Sequence, residues 1–143
     1  MRAILGYVKT DPHDHTVYKA QLADLAGIAR AAGYEPVETT VQFLRKETVN
    51  YVFGKGKVEE IKKRVEELDI QAFIVYNTMT SAQKLNLEKA LRVKVIDRYE
   101  LTLEVFDLNA SDKLSKMQIE LARLIKSYPY EKLKAAIRYI RDR

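Results

Sequence analysis

The 143-residue chain contains no cysteine. Disulfides, thiol catalysis and zinc sites built on sulfur are therefore excluded. It has two histidines, His13 and His15, in a polar stretch over residues 10–16 that also holds Asp11 and Asp14. Two histidines two apart on a loop fix no ligand geometry, and no third exists to complete a set, so no metal site is expected. No apolar run approaches the ~20 residues of a membrane span. Residues 1–7 are too short and too soon broken for a signal peptide and read as a first strand. No GxxxxGK followed by Ser or Thr occurs, which excludes the usual P-loop cradle for nucleotide phosphates. These features fit a cytoplasmic protein with no membrane partner, and many Lys, Arg and Glu without Cys suit a thermophile.

What is present describes one folded domain with a real core: 47% hydrophobic and 31% charged residues in a chain long enough to bury them. The net charge of +5 is unevenly spread. Residues 113–143 hold nine basic groups, Lys113, Lys116, Arg123, Lys126, Lys132, Lys134, Arg138, Arg141 and Arg143, against three acids, a balance of +6. Residues 1–112 hold sixteen basic groups against seventeen acids. A polyanion would meet the protein at the C-terminal segment. Lys113, Lys116, Arg123, Lys126, Lys132, Lys134, Arg138 and Arg141 are the candidate RNA contacts, while DNA is not expected.

Along the chain, strand and helix patterns alternate four times. Residues 2–8 read as a buried strand. Leu22, Leu25, Ala26 and Ala29 mark a helix that Gly33 stops. Residues 36–44 alternate as a strand with Pro36 at its start. Val58, Ile61, Val65 and Leu68 mark a second helix. Residues 70–76 form a nearly continuous apolar run, as in a strand covered on both faces. Thr80-Ser81-Ala82-Gln83 has capping-box spacing and opens a helix to about Leu91. Residues 93–96 are a short strand, and Asp97-Arg98-Tyr99-Glu100 opens another helix through Leu101, Val105 and Phe106. The pattern predicts an α/β domain over residues 1–110, a four-stranded, mostly parallel sheet covered by helices. Over residues 111–143 a long basic amphipathic helix follows. Its apolar seam runs through Leu114, Met117, Leu121, Leu124 and Tyr128. Pro129 kinks or interrupts it, and Tyr130, Leu133, Ile137 and Ile140 resume the spacing in a shifted register. Such a seam needs a partner, and a homodimer through residues 112–142 is one expectation.

One stretch stands out. The apolar, strand-like triplet Tyr51-Val52-Phe53 runs into Gly54-Lys55-Gly56-Lys57 and then a helix. A glycine turn before a helix start, with two ammonium groups beside it, can hold an anion. In parallel sheets ligands lie beyond the carboxyl ends of the strands, where Asn77, Asp97 and Arg98 should also stand. Gly54, Lys55, Gly56, Lys57, Asn77, Asp97 and Arg98 are thus the candidate nucleotide or anion site. A solvated basic turn, a helix cap at Asp97 and its salt-bridge partner at Arg98 are the plainer alternatives. No set of residues for a Mg²⁺ ion and a positioned water stands out, so no catalytic residue is assigned.

Four motifs in order resemble the N-terminal part of the HflX family of ribosome-associated GTPases. They are Tyr51 with Gly54-Lys55-Gly56-Lys57-Val58-Glu59-Glu60; Thr80-Ser81-Ala82-Gln83 with Asn86-Leu87-Glu88; Val93-Lys94-Val95-Ile96-Asp97-Arg98; and Lys116-Met117-Gln118-Ile119-Glu120-Leu121-Ala122 followed by Pro129. The resemblance covers roughly residues 18–129. It implies an α/β layer followed by a helical hairpin, of which the long helix is the first arm. It also implies binding to the large ribosomal subunit and its rRNA, in ribosome splitting or rescue. ATP binding is attributed to this domain in some members, which makes ATP the possible cofactor here. GTP and Mg²⁺ would enter only through a GTPase domain that this chain lacks, so no GTPase activity is expected of it alone. The glycine-rich hairpin tip and returning helix of the family are also missing, and Asn109 and Leu114 stand where the family often has Arg and Glu. No aromatic RNA-recognition motif is present, so RNA contacts are expected to be to backbone and shape.

Overall fold

A computed structural model gives the architecture. It describes the backbone of residues 1–110 and 113–142, and leaves outside the description the side chains at 113–115, 128, 131, 133 and 135–142. The elements alternate as β1 (Arg2–Lys9), α1 (Val17–Ala31), β2 (Glu35–Phe43), α2 (Lys55–Glu67), β3 (Ala72–Val75), α3 (Ser81–Leu91), β4 (Lys94–Asp97), α4 (Arg98–Asn109) and α5 (Lys113–Asp142). The four strands form one sheet in the order β2-β1-β3-β4, and every pairing is parallel. The expected mostly parallel α/β sheet and long C-terminal helix are both present.

Burial follows from position in that order. Central β3 reads Ala-Phe-Ile-Val and is buried throughout, as a strand covered on both faces must be. Edge strand β2 is buried nowhere along its length. Its register slips opposite Ala3 and Ile4, leaving Val37 without a partner. The slip adjoins Pro36, which has no N–H to give to a ladder.

Two apolar layers sandwich the sheet. Val58, Ile61 and Val65 of α2 and Leu87 and Leu91 of α3 pack with Ile4, Val8, Phe73, Val75 and Val95 on one face. Leu25 and Ala29 of α1 and Leu101 of α4 pack with Ala3, Leu5, Ile74 and Ile96 on the other. Lys62, Lys63 and Glu66 point outward from α2, as the helical spacing requires. Phe106, expected on the inner face of α4, is 56% exposed. Leu103 is buried there instead.

Salt bridges pin the outer layer to the sheet edge. Arg64 of α2 reaches Glu38 of β2 at 2.7 Å and Glu67 at 2.7 Å. The Arg64 hydrogen bonds hold the Glu38 carboxyl below its ordinary value of 4.5, against the opposing effect of burial. A depressed carboxylate stabilises the fold above its unfolded pKa, and that contribution fades as pH falls through the folded value. Thermal melts of the parent and of Glu38→Gln should therefore differ at pH 6 and converge as pH falls below 4.5. A gap that stays constant on acidification would show that the carboxylate charge is not what Arg64 holds.

α5 is a continuous helix that runs through Pro129. The proline therefore does not interrupt it. The helix lies against α3 and α4, and the face it turns to them is polar. Lys126 Nζ lies 3.4 Å from the Asp97 carboxylate. Arg123 lies 3.8 Å from Asp107 and 3.3 Å from Glu120. The Tyr130 hydroxyl donates to the Glu88 carboxylate, and its ring is buried with Lys84 Nζ 4.7 Å from its centroid. Tyr130 thus belongs to the domain contact rather than to a resumed seam. The described seam residues face away: Met117, Leu121 and Leu124 are 58, 59 and 56% exposed, and Ile125 beside them, outside the expected seam, is 69% exposed. The seam side chains of Leu114, Tyr128, Leu133, Ile137 and Ile140 lie outside the described residues.

Candidate functional site

The chain leaves β1 for α1 on one face of the sheet and leaves β3 for α3 on the other. The winding therefore reverses between these two neighbouring strands, and their carboxyl ends open a crevice of the kind where ligands bind in open α/β sheets. The functional candidates group around this edge in three separate places.

Asn77 bridges the crevice. Its Oδ1 accepts from the Val8 N–H at 2.9 Å. Its Nδ2 donates to the Val8 carbonyl at 3.0 Å and to the Glu47 carboxylate at 3.0 Å. The side-chain amide extends the β1–β3 pairing by one step, which is a structural task that leaves it no free donor for a nucleotide.

Gly54, Lys55, Gly56 and Lys57 lie near the end of β2, where α2 begins. The helix starts at Lys55, two residues earlier than expected, with Gly54 as N-cap. The Gly54 N–H donates to Gln42 Oε1 at 2.9 Å, and a Cβ at Gly54 would come within 3.1 Å of Gln42 Nε2. The glycine is thus explained by the close approach of Gln42. Lys57 is paired with Glu60 at 3.3 Å, and Lys55 is exposed.

The triplet before it is not a strand. Val52 makes a single antiparallel bridge with Thr48 and has φ +68°, a conformation that strains a β-branched residue. Val52 and Phe53 are fully buried. Thr48 Oγ1 donates to the Phe53 carbonyl at 2.6 Å, Gln83 Nε2 to the Thr48 carbonyl at 2.7 Å, and Asn86 Nδ2 to the Asn50 carbonyl at 3.0 Å. The stretch is a turn plugged into the core and tied to α3.

Asp97 and Arg98 stand at the opposite edge strand, β4, where α4 opens on the other face of the sheet. They are therefore not brought together with the Gly54–Lys57 turn. Asp97 is fully buried. It accepts from the Glu100 N–H at 3.0 Å and the Met79 N–H at 3.3 Å, completes a capping box with Glu100 and pairs with Lys126. It is a junction between β4, α4 and α5. Asp14, read with the histidine loop, is likewise a cap: its Oδ1 accepts from the Thr16 and Val17 N–H groups at 3.1 and 2.8 Å. Among the described residues no cluster could hold a metal ion.

Arg98 is exposed and pairs with no acid among the described residues. Its guanidinium carbon lies 5.1 Å from the centroid of the Tyr76 ring, which stacks at 5.0 Å and 29° on Tyr7. Tyr18 adjoins Tyr7 at 6.2 Å. Lys9 Nζ lies 4.9 Å from the Tyr18 ring and 5.9 Å from Phe43. Burial, then Tyr76 and Asp14, push the Tyr7 hydroxyl above its ordinary pKa, and that hydroxyl donates to Gln21 Oε1 at 2.5 Å. This aromatic column at the β1–β3 crevice was not apparent in the sequence. The signal available was the placing of Tyr7 and Tyr76 near the ends of two strands. Only the register, in which Tyr76 N–H donates to the Gly6 carbonyl at 2.9 Å, makes them neighbours.

Among the candidate RNA contacts, Arg123 and Lys126 face the domain and are ion-paired, while Lys116 and Lys132 are exposed. Lys134 Nζ lies 5.1 Å from the Tyr130 ring. The side chains of Lys113, Arg138 and Arg141 lie outside the described residues.

The fold defines the class: an open parallel α/β layer, wound in both directions from a central crevice and carrying one long helix. The family model described as the N-terminal domain of GTP-binding GTPases matches residues 19–107. The chain belongs to this family, as the N-terminal part of the HflX GTPases. It is 42% identical over 141 residues to the GTPase HflX of Thermococcus kodakarensis, covering 99% of this chain and 30% of that protein. It is 43% identical over 91 residues to the GTPase HflX of Methanocaldococcus jannaschii, covering 64% of this chain and 22% of that protein. The chain thus spans under a third of the length of these relatives. In fold it is similar to a GTP-binding protein from Sulfolobus solfataricus solved with GDP, with a TM-score of 0.71 at 24% identity, covering 99% of this chain and 42% of that one.

Proposed function

We propose that this domain binds the large ribosomal subunit through rRNA and serves ribosome splitting or rescue as the N-terminal part of a GTPase. The observation that carries the reading is on α5. Lys116 and Lys132 stand exposed without an ion pair among the described residues, in a segment of balance +6. Cations so placed neutralise phosphates and release counterions, which makes binding steeply salt-dependent. GTP hydrolysis belongs, on this reading, to the part of the relatives that this chain does not span.

The geometry also sorts the basic residues. Arg123 and Lys126 secure α5 to Asp107 and Asp97, so reversing them would disturb the fold as well as any RNA contact. The double variant Lys116→Glu, Lys132→Glu removes only exposed charge. It should keep the parent melting temperature and lose roughly tenfold or more of its affinity for large subunits at low salt, read by filter binding. Equal affinity in parent and variant would overturn the assignment of α5 as the contact.

A second reading rests on the exposed seam. Met117, Leu121, Leu124 and Ile125 form an apolar stripe that a second copy of α5 could cover, giving a homodimer through residues 112–142. Light scattering at high micromolar concentration distinguishes the dimer from a monomer, and a monomer removes this reading. The ATP alternative gains no support from the geometry, because the Gly54–Lys57 turn, Asn77 and Asp97 are engaged separately.

A further inference from the structure

We propose that the Tyr7–Tyr76–Arg98 column, with Tyr18, Lys9 and Lys19 beside it, is a platform on which unpaired bases of single-stranded RNA stack. The position comes first. The column sits at the carboxyl ends of β1 and β3, the one place in this sheet where the winding reverses and where α/β folds present ligands. On the α2 and α3 side of that edge Asn77 and Glu47 close the crevice. On the α1 and α4 side the half-buried rings of Tyr7, Tyr18 and Tyr76 stand at this edge, with the exposed Arg98 over the last of them.

The chemistry of the surface is planar and cationic. Tyr7 and Tyr76 stack at 5.0 Å, and the exposed Arg98 guanidinium forms the outer tier 5.1 Å from the Tyr76 centroid. A nucleobase stacks on a guanidinium plane as it does on an aromatic ring. The next residue, Tyr99, is 48% exposed, with Lys126 Nζ 5.4 Å from its centroid, and supplies a further exposed ring at the start of α4. Phosphates on either side would meet Lys9 and Lys19, which lie 4.9 and 6.0 Å from the Tyr18 ring.

These cations are uncommitted. Among the described residues no carboxylate lies within ion-pair distance of Arg98, Lys9 or Lys19. The carboxylate in their midst, Asp14, is taken up by the backbone N–H groups that open α1. Rings interleaved with free cations, set on an open edge, are the arrangement that holds an unpaired strand. A double helix hides its ring faces and could not use them.

The choice of RNA as the strand rests on the ribosomal reading above. The platform does not overlap Lys116 and Lys132, so the two readings fail separately. The test uses the intact chain in fluorescence anisotropy with a short fluorescein-labelled oligoribonucleotide at low salt. The parent should bind the single strand more tightly than the same sequence as a duplex. Arg98→Ala should weaken the single-strand complex by about tenfold, the size of one lost stacking contact. Arg98→Lys keeps the charge but not the plane, and should weaken it nearly as much. Far-UV melts of both variants check the fold, and Arg98 is exposed enough for both to stay folded.

If Arg98→Lys binds like the parent, the patch is merely electrostatic and the platform is wrong. Equal binding of duplex and single strand overturns it too. So does displacement of the strand by micromolar AMP, which would mark a site for free nucleotide. Ribosome retention together with any of these results would sink the platform and leave the α5 reading intact. A tenfold loss on Arg98→Lys in a chain that ribosomes do not retain would support the platform and sink the ribosomal reading.

Discussion

Replacing Asp97 by alanine is expected to destabilise the chain by about 3 kcal/mol, through loss of a helix cap and of a half-buried charge pair together. The carboxylate is fully buried and serves three elements. It caps α4 through the Glu100 N–H, accepts from the Met79 N–H before α3, and faces Lys126 of α5. Alanine leaves two backbone donors without their acceptor and Lys126 without its partner. Asp97→Asn separates these effects. Asparagine caps a helix about as well as aspartate but carries no charge for Lys126. The Asn variant should therefore retain most of the melting temperature and raise hydrogen exchange selectively in α5. An Ala variant that melts within a degree of the parent would contradict the role of Asp97 as the junction.

Gly6→Ala should be comparably severe. A Cβ at Gly6 would lie 2.6 Å from the Phe73 ring and 2.8 Å from the Phe53 ring. These rings pack against each other at 5.5 Å and 49°, and both are fully buried. Neither can move without opening the layer under α2 and α3. Overpacking of this kind is worth about 2–3 kcal/mol, which in a chain of this size lowers the melting temperature by roughly 7–10 °C. Differential scanning calorimetry reads it directly. Retention of the parent melting temperature would mean that the two rings shift freely, against the close packing seen here.

The parallel α/β layer was legible because its signals are local. The buried run at β3, the capping boxes at Thr80 and Asp97, and the apolar faces of α1 and α2 each state an element without reference to the rest. The capping boxes were realised with both reciprocal bonds. What the sequence concealed depends on partners far along the chain. Gly54-Lys55-Gly56-Lys57 looks like an anion turn until Gln42, twelve residues away, is seen to take the Gly54 N–H. Tyr51-Val52-Phe53 looks like a strand because apolar residues in a row signal one, yet Val52 at φ +68° turns the chain. Arg123 and Lys126 look like free positive charge, but the acids they meet lie on α4, on its neighbouring strand β4 and within α5. The aromatic column was hidden for the same reason, since sixty-nine residues separate Tyr7 from Tyr76 in the chain.

The α5 helix carries the largest consequence. An apolar stripe ordinarily packs against the nearest core. Here the domain contact is made by Arg123, Lys126 and Tyr130, and the stripe from Met117 to Ile125 stays outside. The helix leaves an apolar stripe and the cations Lys116 and Lys132 exposed, while ion pairs tie it to Asp97 and Asp107.

Co-sedimentation of this chain with purified ribosomal subunits at low and moderate salt decides whether the domain binds them. Ribosomal binding through α5 gives retention on the large subunit at low salt and its loss as salt is added, with little retention on the small subunit. A chain that stays in the supernatant with large subunits at low salt contradicts it.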